Sequence, residues 1–157
     1  MEPTQEIKNE VTDFLKKNNT AVIATVWEGE PYASTIHYVA DEDFNIYFLS
    51  HRNTAKYLNV SSHQRAAIVV GAGPKHISIQ AKGIVDLLVG EQAKAVTEKI
   101  EWLKSSHIIE HLPIDEMKKF EDKTPVAFKF EPLEMTFMNL DDDDYPNSKS
   151  KEYWKIS

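Results

Sequence analysis

The sequence predicts a mainly β protein, an antiparallel Greek-key barrel of six to seven strands with additional helices, and three observations lead there. Short β-branched or alternating apolar runs recur along the chain, separated by turn-forming residues. The first three runs have no helical stretch between them, whereas a doubly wound parallel sheet requires a crossover helix after each strand. A helical pattern is inserted before the last pair of runs, as an addition to a barrel.

Residues 3–17 carry Ile7, Val11, Phe14 and Leu15 at helical spacing, with Pro3 suited to a first turn and Asn18 and Asn19 to its end. Residues 20–27 and 32–40 form a predicted hairpin around Glu28-Gly29-Glu30-Pro31. After the Asp41-Glu42-Asp43 turn, residues 44–50 return as a third strand, with Phe44, Ile46 and Phe48 on one face. A turn or two of helix over 54–59 precedes strands at 65–71 and 76–88, where Gly83 marks a bend or a close backbone approach. Residues 91–105 place Val96, Ile100 and Leu103 on one helical stripe, expected to pack across a barrel end, and 113–120 reads as a shorter helix. Strands at 125–131 and 134–140 follow, interrupted by Pro132, and there is no internal repeat.

With 157 residues the chain is long enough for one domain with a core that needs no staples. A net charge of -7 and a pI near 5.4 argue against a general nucleic-acid binder, which relies on a basic face. The absence of cysteine excludes disulfides, thiol nucleophiles and Cys-ligated metals, and suits a reducing cytoplasm. No signal-like start and no bilayer-length apolar run stand in the sequence, so a cytoplasmic protein without a membrane partner is expected. The two sequons, at Asn18 and Asn59, are then accidental.

Any anion site must therefore be local, and 45–60 offers one. Ser50, Arg52, Thr54 and Lys56 fall within seven positions at a strand-to-helix junction, where unpaired N–H groups already favour negative charge. Arg52 can grip two phosphate oxygens, Lys56 adds a point charge and Thr54 caps the helix. The alternative is a solvated turn carrying ordinary surface cations.

Four passages carry a likeness to a known family: 20–25 with Gly29 and Pro31-Tyr32-Ala33-Ser34; Ile46-Tyr47-Phe48-Leu49-Ser50 running into Thr54-Ala55-Lys56-Tyr57-Leu58; 77–83; and Phe128-Lys129-Phe130-Glu131-Pro132. In this order they resemble the flavin-binding split-barrel family that includes the pyridoxamine 5′-phosphate oxidases, over roughly residues 11–138. The resemblance implies an FMN-binding split β-barrel over 1–140, followed by an acidic and polar tail over 141–157. It also implies a homodimer with FMN between the subunits, and an oxidoreductase that passes hydride or electrons between flavin and a small-molecule substrate. Ser50, Arg52, Thr54 and Lys56 would then hold the phosphate. Ser34, Thr35, Ile36 and His37 would run beside the isoalloxazine, with Phe48 and Leu49 as neighbours, and Gln80 would approach from the fifth strand. Two alternatives stand beside it: a non-catalytic flavin- or haem-binding module that stores, senses or delivers its cofactor, and an F420-dependent reductase, since the deazaflavin F420 replaces FMN in some relatives. True pyridoxine-phosphate oxidases close with a Trp-rich stretch and an Arg–Leu–His arrangement, whereas this chain has Phe137-Met138-Asn139-Leu140-Asp141, which speaks against vitamin B6 oxidation.

Four other constellations stand beside this. His107-Ile108-Ile109-Glu110-His111 matches a short zinc-hydrolase pattern, but Pro113 follows at once and no third ligand is evident. His37 is either a proton shuttle beside a flavin or a satisfied strand histidine. The carboxylate run 141–144 reads as a solvated linker or a site for a hard cation, and Tyr153 and Trp154 as a docked tail or a cover over a partner's cofactor.

Overall fold

The computed structural model describes residues 3–71, 77–105, 125–139 and 151–155. The short helix expected at 113–120, the His107 to His111 pattern and the carboxylate run 141–144 lie outside them. Among the described residues ten elements follow in the order α1 (Gln5–Lys17), β1 (Thr20–Trp27), β2 (Glu30–Ala40), β3 (Ile46–His51), α2 (Ala55–Ser62), β4 (Arg65–Val70), β5 (Ile77–Leu87), α3 (Gly90–Ser105), β6 (Pro125–Asn139) and β7 (Lys151–Lys155).

All strand pairs are antiparallel, in the order β3-β2-β1-β4-β5-β6-β7, and β3 also pairs with β6. That last pairing closes β1 to β6 into a six-stranded barrel and leaves β7 as a seventh strand beyond it. The alternation read from the sequence sets the inside: Ile23, Ile36, Tyr38, Ile46, Phe48, Ile68, Ile79, Val85, Phe128 and Phe130 are buried in one core. Phe48 and Phe128 stack with centroids 5.1 Å apart. The N-terminal helix α1 covers one end through Val11 and Leu15, and the Tyr38 hydroxyl donates to the Leu15 carbonyl at 3.0 Å.

Three elements differ from the sequence reading. Phe44 is not in a strand: it occupies the turn before β3 with φ 64°, yet its side chain still reaches the core. α3 packs not across an end but against the outer wall, where Val96, Ile100 and Leu103 meet Val39, Tyr47 and Leu49. The expected break at Pro132 is absent, and β6 runs unbroken from Pro125 to Asn139. Gly83 faces Pro132 while Lys82 faces Glu134, so Leu133 is an extra residue, a bulge at which a proline costs no ladder hydrogen bond. No helix among the described residues is long and apolar enough to cross a membrane.

Candidate functional site: an unzipped seam beside a cationic turn

The barrel is not zipped along its whole length. β2 pairs with β1 from Glu30 to His37, but its other edge meets β3 only at Tyr38, Val39 and Ala40. Continuing the same register would set Ile36 against Ser50 and Ser34 against Arg52, yet the ladder has already stopped. A notch remains between β2 and the end of β3.

Main-chain directions alternate along an antiparallel strand. The Tyr38 N–H donates to Asn19 on the β1 side, and Asp41 N–H donates to Asn45 within the β2–β3 turn. Odd-numbered residues of β2 therefore aim their N–H and C=O groups away from β1, and Ala33 and Thr35 present theirs to the notch. By the same alternation Leu49 presents its main chain from β3. Side chains on β2 divide oppositely: Ile36 is buried inside, Thr35 is exposed outside, and Ser34 turns inward. The Ser34 hydroxyl oxygen is buried and has no hydrogen-bond partner among the described residues, an uncompensated polar group of the kind that a ligand can satisfy.

At the open end of the notch β3 turns into α2. Thr54 caps this helix, accepting from the Tyr57 N–H at 3.3 Å, while its own hydroxyl donates to the His51 carbonyl at 2.7 Å. Ser50 Oγ lies 2.9 Å from Thr54 Oγ1; because the Thr54 proton is committed to His51, Ser50 is the donor. Both hydroxyls thus hold the turn in shape, and an arriving anion would compete for their protons. The N–H groups of Ala55 and Lys56, in the first turn of α2, have no intrahelical acceptor. The first turn carries no acidic residue.

Lys56 is partly buried, which lowers its pKa below the usual lysine value, and it makes no ion pair with a described residue. A cation at a helix N-terminus opposes the macrodipole, so this placement is unfavourable unless an anion joins it. Arg52 is exposed, its guanidinium 5.9 Å from the centre of the Tyr57 ring and its Nη1 3.5 Å from the Tyr57 hydroxyl. Tyr57 in turn packs edge-on against Phe128 at 6.1 Å. What the turn offers outward is two cations and two amide N–H groups.

The residues expected at the site thus fall into three groups. Ser34, Thr35, Ser50, Arg52, Thr54 and Lys56 border the notch or its turn. Ile36 and Phe48 point into the core, and Leu49 lies under α3, so only main chain from these three can face a ligand. His37 is on the outer face of β2, with Nδ1 3.3 Å from Thr20 Oγ1. Gln80 is exposed on β5, three strands from Thr35 in the row Thr35, Val22, Val69, Gln80, about 14 Å away by strand spacing. Within one chain it does not join the turn. That outer face is shallowly hollowed, with a 570 Å³ cavity floored by Ala24 and Ala67 and a 330 Å³ cavity between Thr20 and Thr35. Asn59 was missed: from α2 it donates to Thr25 of β1 at 3.0 Å, both residues buried. An amide next to Val60 on a short helix was the available signal. Among the described residues no group of three metal-ligating side chains assembles.

A closed antiparallel barrel with one seam partly open, and a cationic helix start at that seam, defines a split β-barrel protein. The family model for pyridoxamine 5′-phosphate oxidase matches residues 7–139, and the chain belongs to that family. Among solved structures, general stress protein 26 from Bacillus anthracis superposes with a TM-score of 0.68 at 15% identity, over 97% of this chain and 100% of that one. A FAD-binding protein from Mesorhizobium loti gives 0.60 at 17% identity, over 82% and 90%. A heme binding protein from Mycobacterium smegmatis gives 0.66 at 13% identity, over 99% of this chain and 59% of that one. At such identities the likeness is one of fold. No curated protein matches in sequence.

Proposed function

We propose that the protein is an FMN-binding flavoprotein acting as an oxidoreductase on a small molecule, as a homodimer with the cofactor at the subunit interface. One observation carries this reading: Lys56, partly buried and without an ionic partner among the described residues, at the start of a helix whose first N–H groups are open. The FAD-binding and heme binding proteins of the same fold support a flavin or haem ligand. This chain's own donors favour the flavin, because a phosphate needs cations and N–H groups, and a flat ring with a polar edge needs main-chain partners beside an apolar wall. The orphaned Ser34 hydroxyl fits such a group too.

When bound, the flavin ring supplies the redox chemistry. The protein's part is placement. Lys56, Arg52 and the N–H groups of Ala55 and Lys56 would fix the phosphate. The main chain of Ala33, Thr35 and Leu49 would hold the ring's polar edge, and Ser34 would gain the partner it lacks. His37 is the ionisable group on that wall, available to hold or release a proton. Gln80, too distant in its own chain, would come from the second copy, whose contact surface is the outer face around Val22 and Val69, both substantially exposed.

Mass spectrometry and absorption of whatever leaves the purified protein on denaturation test this, and a flavin that carries the FMN group is expected. Colourless protein that fails to take up added FMN would overturn the reading, and a haem Soret band or a deazaflavin mass would replace the cofactor. Bleaching of the bound flavin by NADH or NADPH is the expected mark of the oxidoreductase.

A further inference from the structure

The β1–β2 hairpin closes through Glu28 and Gly29, both at positive φ (47° and 84°), the tight turn whose twist suits its strands. Beside it Trp27 and Tyr32 remain 45% and 43% exposed. Trp27 pairs with Glu30 and Tyr32 with Thr25, so the two rings are diagonal neighbours on one face of the hairpin. Neither makes a ring contact or hydrogen bond with another described residue. The result is a firm aromatic lip with two open faces.

This lip is continuous with the notch. Tyr32 stands two residues, about 7 Å, along β2 from Ser34 and on the same face. Its cross-strand partner Thr25 is the residue that holds Asn59 of α2, the helix whose first turn carries Lys56. A chain leaving a phosphate at that turn can therefore reach the hairpin.

We propose that the Trp27–Tyr32 lip binds the adenine ring of a dinucleotide whose first phosphate rests on the Lys56 turn, so that the site takes FAD, the FMN group extended by adenylate. This rests on the flavin reading above. Exposed aromatic faces stack on any base, and one stacked base is worth roughly tenfold or more in affinity. The Glu30 carboxylate beside Trp27 only accepts hydrogen bonds, which suits the exocyclic amine of adenine. Glu28 and Glu30 also repel further phosphate, leaving Arg52 and Lys56 as the place for both charged groups. A hairpin already held by its ladder loses little freedom on binding.

The test is titration of cofactor-free protein with FMN and with FAD, followed by flavin fluorescence. FAD should bind about tenfold or more tightly than FMN. Trp27→Ala should bring FAD to the FMN level while moving FMN by less than about twofold, and Trp27→Phe should keep most of the preference. Unchanged FMN binding also certifies that the variants fold. Equal affinity for the two flavins in the wild type, or an equal loss of both in Trp27→Ala, would overturn the proposal. So would Trp27→Ala that keeps its FAD preference but sediments as a smaller species, which would assign the lip to a second copy. If the wild type binds neither flavin, the flavin reading itself fails and this inference falls with it; failure of the lip alone leaves FMN binding in place.

Discussion

Asn59 of α2 donates to Thr25 of β1 at 3.0 Å, and both side chains are almost fully buried. This bond ties the helix that begins at the cationic turn to β1, the strand that pairs with the open stretch of β2. Asn59→Ala leaves a buried hydroxyl without its partner and should cost about 1–3 kcal/mol of stability. Because α2 also positions Lys56, the variant should bind FMN more weakly as well. Denaturant unfolding and an FMN titration on the same preparation check both parts.

Lys56 yields a prediction in which stability and binding move apart. Lys56→Ala should weaken FMN binding by about 1.5–3 kcal/mol, the usual worth of a hydrogen bond to a charged group. The cofactor-free protein should be no less stable, since a partly buried cation that opposes the helix dipole and pairs with no described residue has gone. Burial lowers the Lys56 pKa, so its charge is lost at a lower pH in the fold than in the unfolded chain. FMN affinity should therefore fall on the alkaline side as pH rises through that lowered value. The stability of the cofactor-free protein should rise over the same window, because the unfolded chain then binds more protons. Lys56→Arg should abolish both dependences.

The barrel could be read from the sequence because its strands alternate strictly: Ile46 and Phe48 against Tyr47 and Leu49 is a pattern only a half-buried strand explains. The turn at Ser50 to Lys56 was equally local, and its cap, Thr54, formed as expected. What escaped was set by tertiary contact. Pro132 signals a break when read alone, and only the facing Gly83 shows that a bulge absorbs it. The strand β7 could not be foreseen, since Lys-Glu-Tyr-Trp-Lys has no apolar alternation and gains its place by pairing with β6. That the side chains of Phe48 and Leu49 are taken up by Phe128 and by α3 depends on partners about 80 and 50 residues further along the chain. Gln80 shares its strand with buried neighbours, and only the register fixes it outward.

Asp41 organises the β2–β3 turn. Its carboxylate accepts from Asp43 N–H at 3.0 Å, and from Asn45 N–H, Asn45 Nδ2 and the Tyr47 hydroxyl at 2.9 Å each. Burial alone would raise its pKa, but the bonds from Asn45, Tyr47 and Asp43 outweigh this and leave it below the ordinary value. The same contact, with burial the larger cause, pushes the Tyr47 phenol up to about 12. A depressed carboxyl stabilises the fold above its unfolded pKa, and that stability is lost as pH falls through the folded value. Asp41→Asn should therefore flatten the acid limb of a stability–pH curve below about pH 4, while costing about 1–3 kcal/mol at neutral pH. Thermal melts of both proteins across that range measure it.

Gly83 and Pro132 make a last prediction that separates space from strand chemistry. A Cβ on Gly83 would lie 2.8 Å from Phe130 Cζ and closer still to the Glu131 carbonyl oxygen. That oxygen is main chain and cannot swing aside, so β5 and β6 would have to part at their longest shared ladder. Gly83→Ala should destabilise by about 1–3 kcal/mol or more. Pro132 poses the opposite case. At the bulge its missing N–H forfeits no ladder bond, and Pro132→Ala removes only ring packing and some stiffness of the unfolded chain, about 1 kcal/mol. If the bulge is held by Gly83 and not by the proline, guanidinium unfolding midpoints should order as wild type, then Pro132→Ala, then Gly83→Ala. The reverse order would mean that the proline sets the register of β6 and that Gly83 merely tolerates it.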